Sequence, residues 1–338
     1  MKQRRLGRTA INVSEICLGT MTFGSMADET ESLDCLDKAF DAGVNFIDIA
    51  EIYPVPPDRK YAGRSEEICG KWLANRSRDA VIIASKVAGP TGGWFQGPVR
   101  EGNTGLDRHN IERAVEASLQ RLGTDYIDLY QTHWPDPGLP YDETLEALDR
   151  MVEQGKVRAV GCSNESAYGL TKSLWASDRL GSVRYETIQN NYSLLNRRFE
   201  DELSNVCHRE KVSLLAYSPI AGGVLSGKYK DGAFPDGARF TVYKDHSPRT
   251  KVMIQRFLGD RALEMTDRVH EIAAGCEVDP VTFSVAWTLT KKFVGSCVIG
   301  VTHPDQLDVH LAAVEATIPD EAIQACDRLA REIPYPLG

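Results

Sequence analysis

Eight short apolar runs, each separated from the next by an amphipathic helical stretch, constrain this chain more than any other feature. The first four are SEICLG (14–19), NFIDIA (45–50), AVIIASKV (80–87) and YIDLYQTH (126–133). VRAVGCSN (157–164), ETIQNNY (186–192), VSLLAYSP (212–219) and SCVIGV (296–301) complete the series, the last after a long helical stretch at 251–292. The runs are nearly continuous in apolar residues, as in a parallel sheet covered on both faces. Gly43, Gly123 and Gly155 fall where helices would end. Eight βα units in 338 residues predict an α/β fold, a closed (β/α)8 TIM barrel filling 1–338 as one domain. A doubly wound sheet would carry G-x-G-x-x-G after its first strand, and GTMTFGSM, with Gly19 and Gly24, does not supply it.

Before the barrel, RRLGRTAINVSEI reads as a β-hairpin that caps the barrel floor. Two connections, 88–107 and 218–250, are too long to be simple links. Both follow strands, on the face where barrels build their sites.

With 42% hydrophobic residues and a net charge of −9, the chain has the makeup of a soluble globular protein with no general attraction to nucleic acid or anionic membranes. The N-terminus is basic but lacks the apolar core of a signal peptide, and no run is long enough to span a membrane. The eight cysteines include no C-x-x-C pair and read as reduced thiols of a cytoplasmic protein, with no metal site expected.

The segment GGVLSGK (222–228) fits most of a nucleotide-triphosphate loop. The next residue there should be Ser or Thr, to ligate magnesium, and here it is Tyr229. A phosphate-cradling loop of another kind is the alternative.

Four polar residues stand at or just beyond strand ends: Asp48, Tyr53, Lys86 and His133. Singly, each has an ordinary reading as a cap, a packed ring or a solvated charge. Together they form a unit for reducing a carbonyl. The alkoxide formed needs a proton, and a phenol with a pKa near 10 is a poor donor at neutral pH. An ammonium about 4 Å away is worth roughly 4 kcal/mol at an effective dielectric near 20. That equals about three pKa units, enough to bring Tyr53 close to neutrality. Asp48 would serve as the counter-ion of Lys86, and His133 would orient the substrate carbonyl. None of the four can donate a hydride, so the unit requires a cofactor.

In order and spacing, DIAEIY, ASKV and QTHW resemble the Asp, Tyr, Lys and His segments of the aldo-keto reductase family. RLGRTAINVSEICLGTMTFG, SLQRLGTDYIDLYQTHWPD and VRAVGCSN extend the resemblance along the chain. YETIQNNYSLLNR and AYSPIAGGVLSGKY resemble the bacterial branch related to the potassium-channel β subunits.

The resemblance implies an NAD(P)H-dependent oxidoreductase that interconverts aldehydes or ketones and alcohols, with Tyr53 as general acid/base. NADPH is the expected cofactor and NADH the alternative. The segment after the seventh strand would close over the pyrophosphate, with Tyr217 against the nicotinamide and Ser218, Leu225 and Lys228 on the phosphates. On that reading Tyr229 is no defect, since no magnesium has to be held. Ser163, Asn164 and Gln189 would hold the carboxamide, and Thr20, Met21 and Asp48 would touch the cofactor from the first strands. Gly300, Thr302 and Gln306 would lie at the adenosine phosphate, with Arg239 supplying the charge that 300–311 lacks. Trp94, Trp134 and Tyr192 are the residues expected along the substrate wall.

The sequence departs from the family pattern at three places. Val309 and His310 occupy positions that are usually acidic and asparagine, and Pro54 follows the catalytic tyrosine where many relatives have glycine. The expected partner is a small-molecule carbonyl or alcohol, with no nucleic acid, no membrane and no reading of oligomeric state. A cofactor-holding, redox-sensing regulatory subunit with negligible turnover is the alternative. A Schiff-base isomerase or aldolase using Lys86 would leave Tyr53 and Asp48 unexplained.

Overall fold

The apolar runs become strands because each can bury one face against surrounding helices and the other inside a closed sheet. The computed structural model describes residues 1–56, 58–90, 99–100 and 104–337. An antiparallel hairpin of β1 (Gln3–Arg5) and β2 (Asn12–Ser14) comes first. The barrel strands are β3 (Ile16–Gly19), β4 (Phe46–Asp48), β5 (Ile82–Val87), β6 (Ile127–Thr132), β7 (Val157–Ser163), β8 (Tyr185–Asn191), β9 (Ser213–Tyr217) and β10 (Val294–Gly300). They close in the order β10-β3-β4-β5-β6-β7-β8-β9, every neighbour parallel. This is the (β/α)8 barrel that the alternation requires, and each expected strand is present.

Helices α1 (Glu29–Asp41), α2 (Arg64–Leu73), α3 (Arg108–Leu122), α4 (Tyr141–Glu153), α5 (Ala167–Leu180) and α6 (Leu203–Glu210) follow strands β3 to β8 in turn. Local signals set their ends. Asp28 and Glu31 form a reciprocal capping box at the start of α1. Asp107 accepts from the Asn110 amide to start α3, and Gly123 ends it at φ 63°. The connection after β9 contains α7 (Arg239–Tyr243) and the start of α8 (Pro248–Phe257). The long helical stretch at 251–292 is divided among α8, α9 (Asp260–Gly275) and α10 (Pro280–Leu289). Gly259 separates the first two, and the third starts afresh because Asp279 caps the Val281 and Thr282 amides with Pro280 at the first turn. Helices α11 (Leu307–Leu311) and α12 (Asp320–Glu332) complete the chain. All eight cysteines are free thiols, and only Cys276 is not buried.

Strand periodicity divides the barrel interior into two layers. Cys17, Phe46, Ala84, Leu129, Ala159 and Leu215 form an apolar lower layer, into which the hairpin inserts Leu6, Ile11 and Val13. The Gly7 amide donates to Ser213 Oγ at 2.9 Å, at the start of β9, so the hairpin closes the floor as expected. Two residues further along, β4, β5, β6 and β9 turn polar at Asp48, Lys86, Gln131 and Tyr217, β8 adds Gln189 at the same level, and β3 and β7 place Gly19 and Gly161 there. Outside, α2 and α3 meet at Gly70, where an added Cβ would lie 2.3 Å from the Arg121 carbonyl oxygen. Gly70→Ala should therefore cost about 1–3 kcal/mol in urea unfolding. An unchanged midpoint would mean that the helices do not approach this closely.

Candidate active site

The ladder register brings the polar inward residues to one rim. Asp48 lies opposite Ala84, Lys86 opposite Gln131, Ser163 opposite Gln189, and Asn191 opposite Tyr217. Their polar members all lie toward the C-terminal ends of their strands. Tyr53 comes from the turn after β4, and its amide donates to the Ala50 carbonyl. His133 directly follows β6, with its amide on the Val87 carbonyl at 2.9 Å.

Asp48, Tyr53, Lys86 and His133 do come together. Lys86 is fully buried, and its Nζ lies 2.6 Å from Asp48 Oδ2, 2.8 Å from the Ile49 carbonyl and 3.3 Å from Tyr53 Oη. The other Asp48 oxygen accepts from Gln189 Nε2 at 2.7 Å and from Gln131 Nε2 at 3.3 Å. The His133 ring stands edge-on to Tyr53 at 5.7 Å and stacks on Trp134 at 3.9 Å. His133 Nδ1 is buried with no hydrogen-bond partner among the described residues. Burial, then the Lys86 charge, holds this imidazole neutral, well below its usual pKa.

The expectation of a Tyr53 phenol brought close to neutrality does not hold. Burial outweighs the ammonium and leaves the phenol above its ordinary value. Asp48, tight against Lys86, also works against ionisation and cancels part of the lysine's field. Burial alone would lower the Lys86 ammonium, but Asp48 and Tyr53 raise it further, so the charge stays in place. The arrangement keeps a protonated phenol beside a fixed cation, as a proton donor requires.

Asp48, Tyr53 and His133 floor a cleft of about 700 Å3 that also reaches Met21, Ser163, Ser218 and Trp134, with Lys86 buried behind them. Asn164, at φ 56°, donates to the His133 carbonyl at 2.9 Å and accepts from the Tyr217 hydroxyl at 2.8 Å. Ser163 Oγ donates to the Gln189 carbonyl at 2.8 Å. The groups expected to face a carboxamide are therefore bound to one another. Across the cleft, Gly300, Thr302 and Gln306 line the wall with Lys228 and Arg239. Arg239 reaches Met21 Sδ at 3.7 Å, and a Cβ on Gly300 would lie 3.8 Å from its guanidinium. GGVLSGK forms tight turns, with Gly222, Gly223 and Gly227 at φ 69°, 98° and 77°.

Besides Lys86, three expected residues do not reach the cleft wall. Thr20 is fully buried and hydrogen-bonds Ser65 and the Asp48 carbonyl. Leu225 is in the core, with its carbonyl 2.9 Å from His270 Nε2. Tyr192 stacks on Trp287 at 5.5 Å and bonds Glu200. Strand parity explains the last: β8 turns 187, 189 and 191 inward, so Asn191 takes the wall position and Tyr192 faces the helices. Trp94 lies outside the described residues.

Sequence reading missed Gln131, although it precedes His133 by two and shares the parity of Leu129. It also missed Glu51, which accepts the Ala88 amide at 2.6 Å and pairs with Arg100 from the long loop. No local signal distinguishes that carboxylate. His310 was noted only as a departure, yet it is buried along the cleft with no hydrogen-bond partner for Nδ1 among the described residues.

Comparison with known proteins agrees with this geometry. Residues 15–331 match the aldo/keto reductase family model. Protein tas of Escherichia coli (strain K12) is 37% identical, with 99% of each chain covered. A probable voltage-gated potassium channel subunit beta of Arabidopsis thaliana is 31% identical over 93% of this chain and 92% of that one. An NADH-specific methylglyoxal reductase of Escherichia coli is 31% identical over 97% and 100%. The chain belongs to the aldo/keto reductase family and is, at that level, an oxidoreductase.

Proposed function

We propose that this protein is a nicotinamide-dependent carbonyl reductase in which Tyr53 is the general acid, assisted by Lys86, Asp48 and His133. The observation that carries this reading is the contact of Lys86 Nζ with both Asp48 Oδ2, at 2.6 Å, and Tyr53 Oη, at 3.3 Å. Proton transfer from Tyr53 to the substrate oxygen leaves a phenolate beside that ammonium. At an effective dielectric near 20 their attraction is on the order of 5 kcal/mol, present only once the charge has formed. Neutral His133 donates a hydrogen bond to the carbonyl and orients it. The same Asp48 contact speaks against a Schiff-base role, because it fixes Lys86 as a cation.

The cleft fits a phosphate-bearing dinucleotide. Lys228 is held below its ordinary pKa by burial and then by Arg239, two cations facing one space with an anion's worth of charge to be met. The turns at Gly222 and Gly223 bring backbone close to it, and a Cβ on Gly223 would lie 3.1 Å from Lys228 Cε. When bound, the dinucleotide supplies the hydride that the side chains cannot. Lys228 would hold its pyrophosphate, and Arg239, beside Gly300, would meet an adenosine 2′-phosphate, favouring NADPH over NADH. Ser163, Asn164 and Gln189 would exchange present partners for the carboxamide, Tyr217 and Met21 would border the ring, and Trp134 would wall the substrate. With free thiols and no described helix long and apolar enough to cross a membrane, we place the protein in the cytoplasm, acting on small molecules.

The pH dependence of reduction tests the protonation state. Reduction needs protonated Tyr53, and burial holds that phenol above its ordinary value in the free protein. The kcat/KM of an aldehyde with NADPH should stay level from pH 6.5 to 9 and decline only beyond that. A decline centred near pH 7 would show that the lysine field prevails over burial.

A further inference from the structure

The chain carries −9 overall, yet three basic side chains line its cleft: Lys228, Arg239 and Arg256. The lining carboxylates are Asp48, already neutralised by Lys86 at 2.6 Å, and Asp236. Lys228 and Arg239 act on each other and suit the dinucleotide phosphates. Arg256 stands apart. It sits on α8 at the rim, both exposed and lining the cleft, and its charge is felt at Tyr217. Its Nε donates to the Leu337 carbonyl, which fixes the guanidinium, and it has no carboxylate partner among the described residues.

The surroundings are those of a mixed binding surface. Met253 and Phe257 flank Arg256 on the same helix and line the same cleft. Asn196 Nδ2 donates to Asn191 Oδ1 at 2.8 Å, which sets the Asn191 amide beside the Tyr217 phenol. A guanidinium anchored through Nε keeps its two terminal nitrogens available for a planar carboxylate, next to an amide donor and an apolar wall.

We propose that Arg256 is a specificity-determining residue and that the substrate is an aldehyde or ketone bearing a carboxylate. This rests on the reductase reading above. The C=O accepts the hydride and the Tyr53 proton to become CH–OH, and the carboxylate on Arg256 is unchanged.

Wild-type protein, Arg256→Met and Arg256→Lys, each with NADPH, are to be compared on 4-formylbenzoate and on its neutral methyl ester. Wild type should favour the carboxylate by ~10-fold or more in kcat/KM, mainly through KM. Arg256→Met should bring that ratio close to one, and Arg256→Lys should restore part of it. Equal use of both aldehydes by wild type overturns the proposal. So does a loss in Arg256→Met that is equal for both, since Arg256 would then only anchor Leu337. Calorimetric binding of benzoate and benzamide to NADP+-loaded protein reads the same subsite without turnover. If neither aldehyde is reduced, benzoate held more tightly by wild type but not by Arg256→Met keeps the subsite and fails only the reductase reading. Equal binding of the two overturns the subsite.

Discussion

Tyr53→Phe should lower kcat for aldehyde reduction by about 10²–10⁴-fold, the usual effect of removing a positioned general acid. At about 1.4 kcal/mol per decade this amounts to about 3–6 kcal/mol of transition-state stabilisation. Phenylalanine keeps the ring that meets His133 edge-on at 5.7 Å, so packing changes little. Lys86 retains Asp48 at 2.6 Å and the Ile49 carbonyl at 2.8 Å, so its charge remains compensated. NADPH affinity, read by quenching of protein fluorescence, should stay within a few-fold of wild type. A kcat loss below 3-fold would remove Tyr53 from the role of acid.

Lys86→Met should destabilise the fold as well as abolish turnover. Asp48 is 1% exposed, and without Lys86 its carboxylate would keep only the Gln189 and Gln131 amides. Breaking a buried pair from one side costs about 3–5 kcal/mol, because the charge left behind is uncompensated. Asp48→Asn should cost a comparable amount by stranding the ammonium. The double variant, with neither charge, should be more stable than the sum of the single losses, and urea unfolding of all four proteins gives the coupling directly. Strictly additive losses would mean that the 2.6 Å contact contributes nothing to the fold.

Much of this architecture is legible in the sequence because it is local or periodic. The apolar runs mark all eight barrel strands, and period-2 alternation carries Asp48 and Lys86 to the layer above Phe46 and Ala84. The same parity would have turned Tyr192 away from the cleft and put Asn191 in it. The break near Gly259 was masked by helical periodicity on both sides of it. Other features depend on contacts between distant segments. Burial reverses the Tyr53 shift that a single lysine suggests, and the degree of burial follows only from the folded barrel. The meeting of His310 with Lys228 and Arg239 at one wall joins α11 to the connection after β9, two segments far apart in the chain. Arg256 is tied to Leu337, 81 residues away, which no local pattern reveals.

Hydride transfer from the nicotinamide to a carbonyl carbon is tested most directly with isotope. The protein would be mixed with an aldehyde and, separately, NADPH or NADH deuterated at C4 on either face, and the product alcohol examined by mass spectrometry and NMR. One deuterium at the carbinol carbon, from one face only, lost in Tyr53→Phe and greater with NADPH, is the expected result. Tight cofactor binding with no deuterated alcohol from any carbonyl tried would contradict it and favour a cofactor-sensing regulatory subunit.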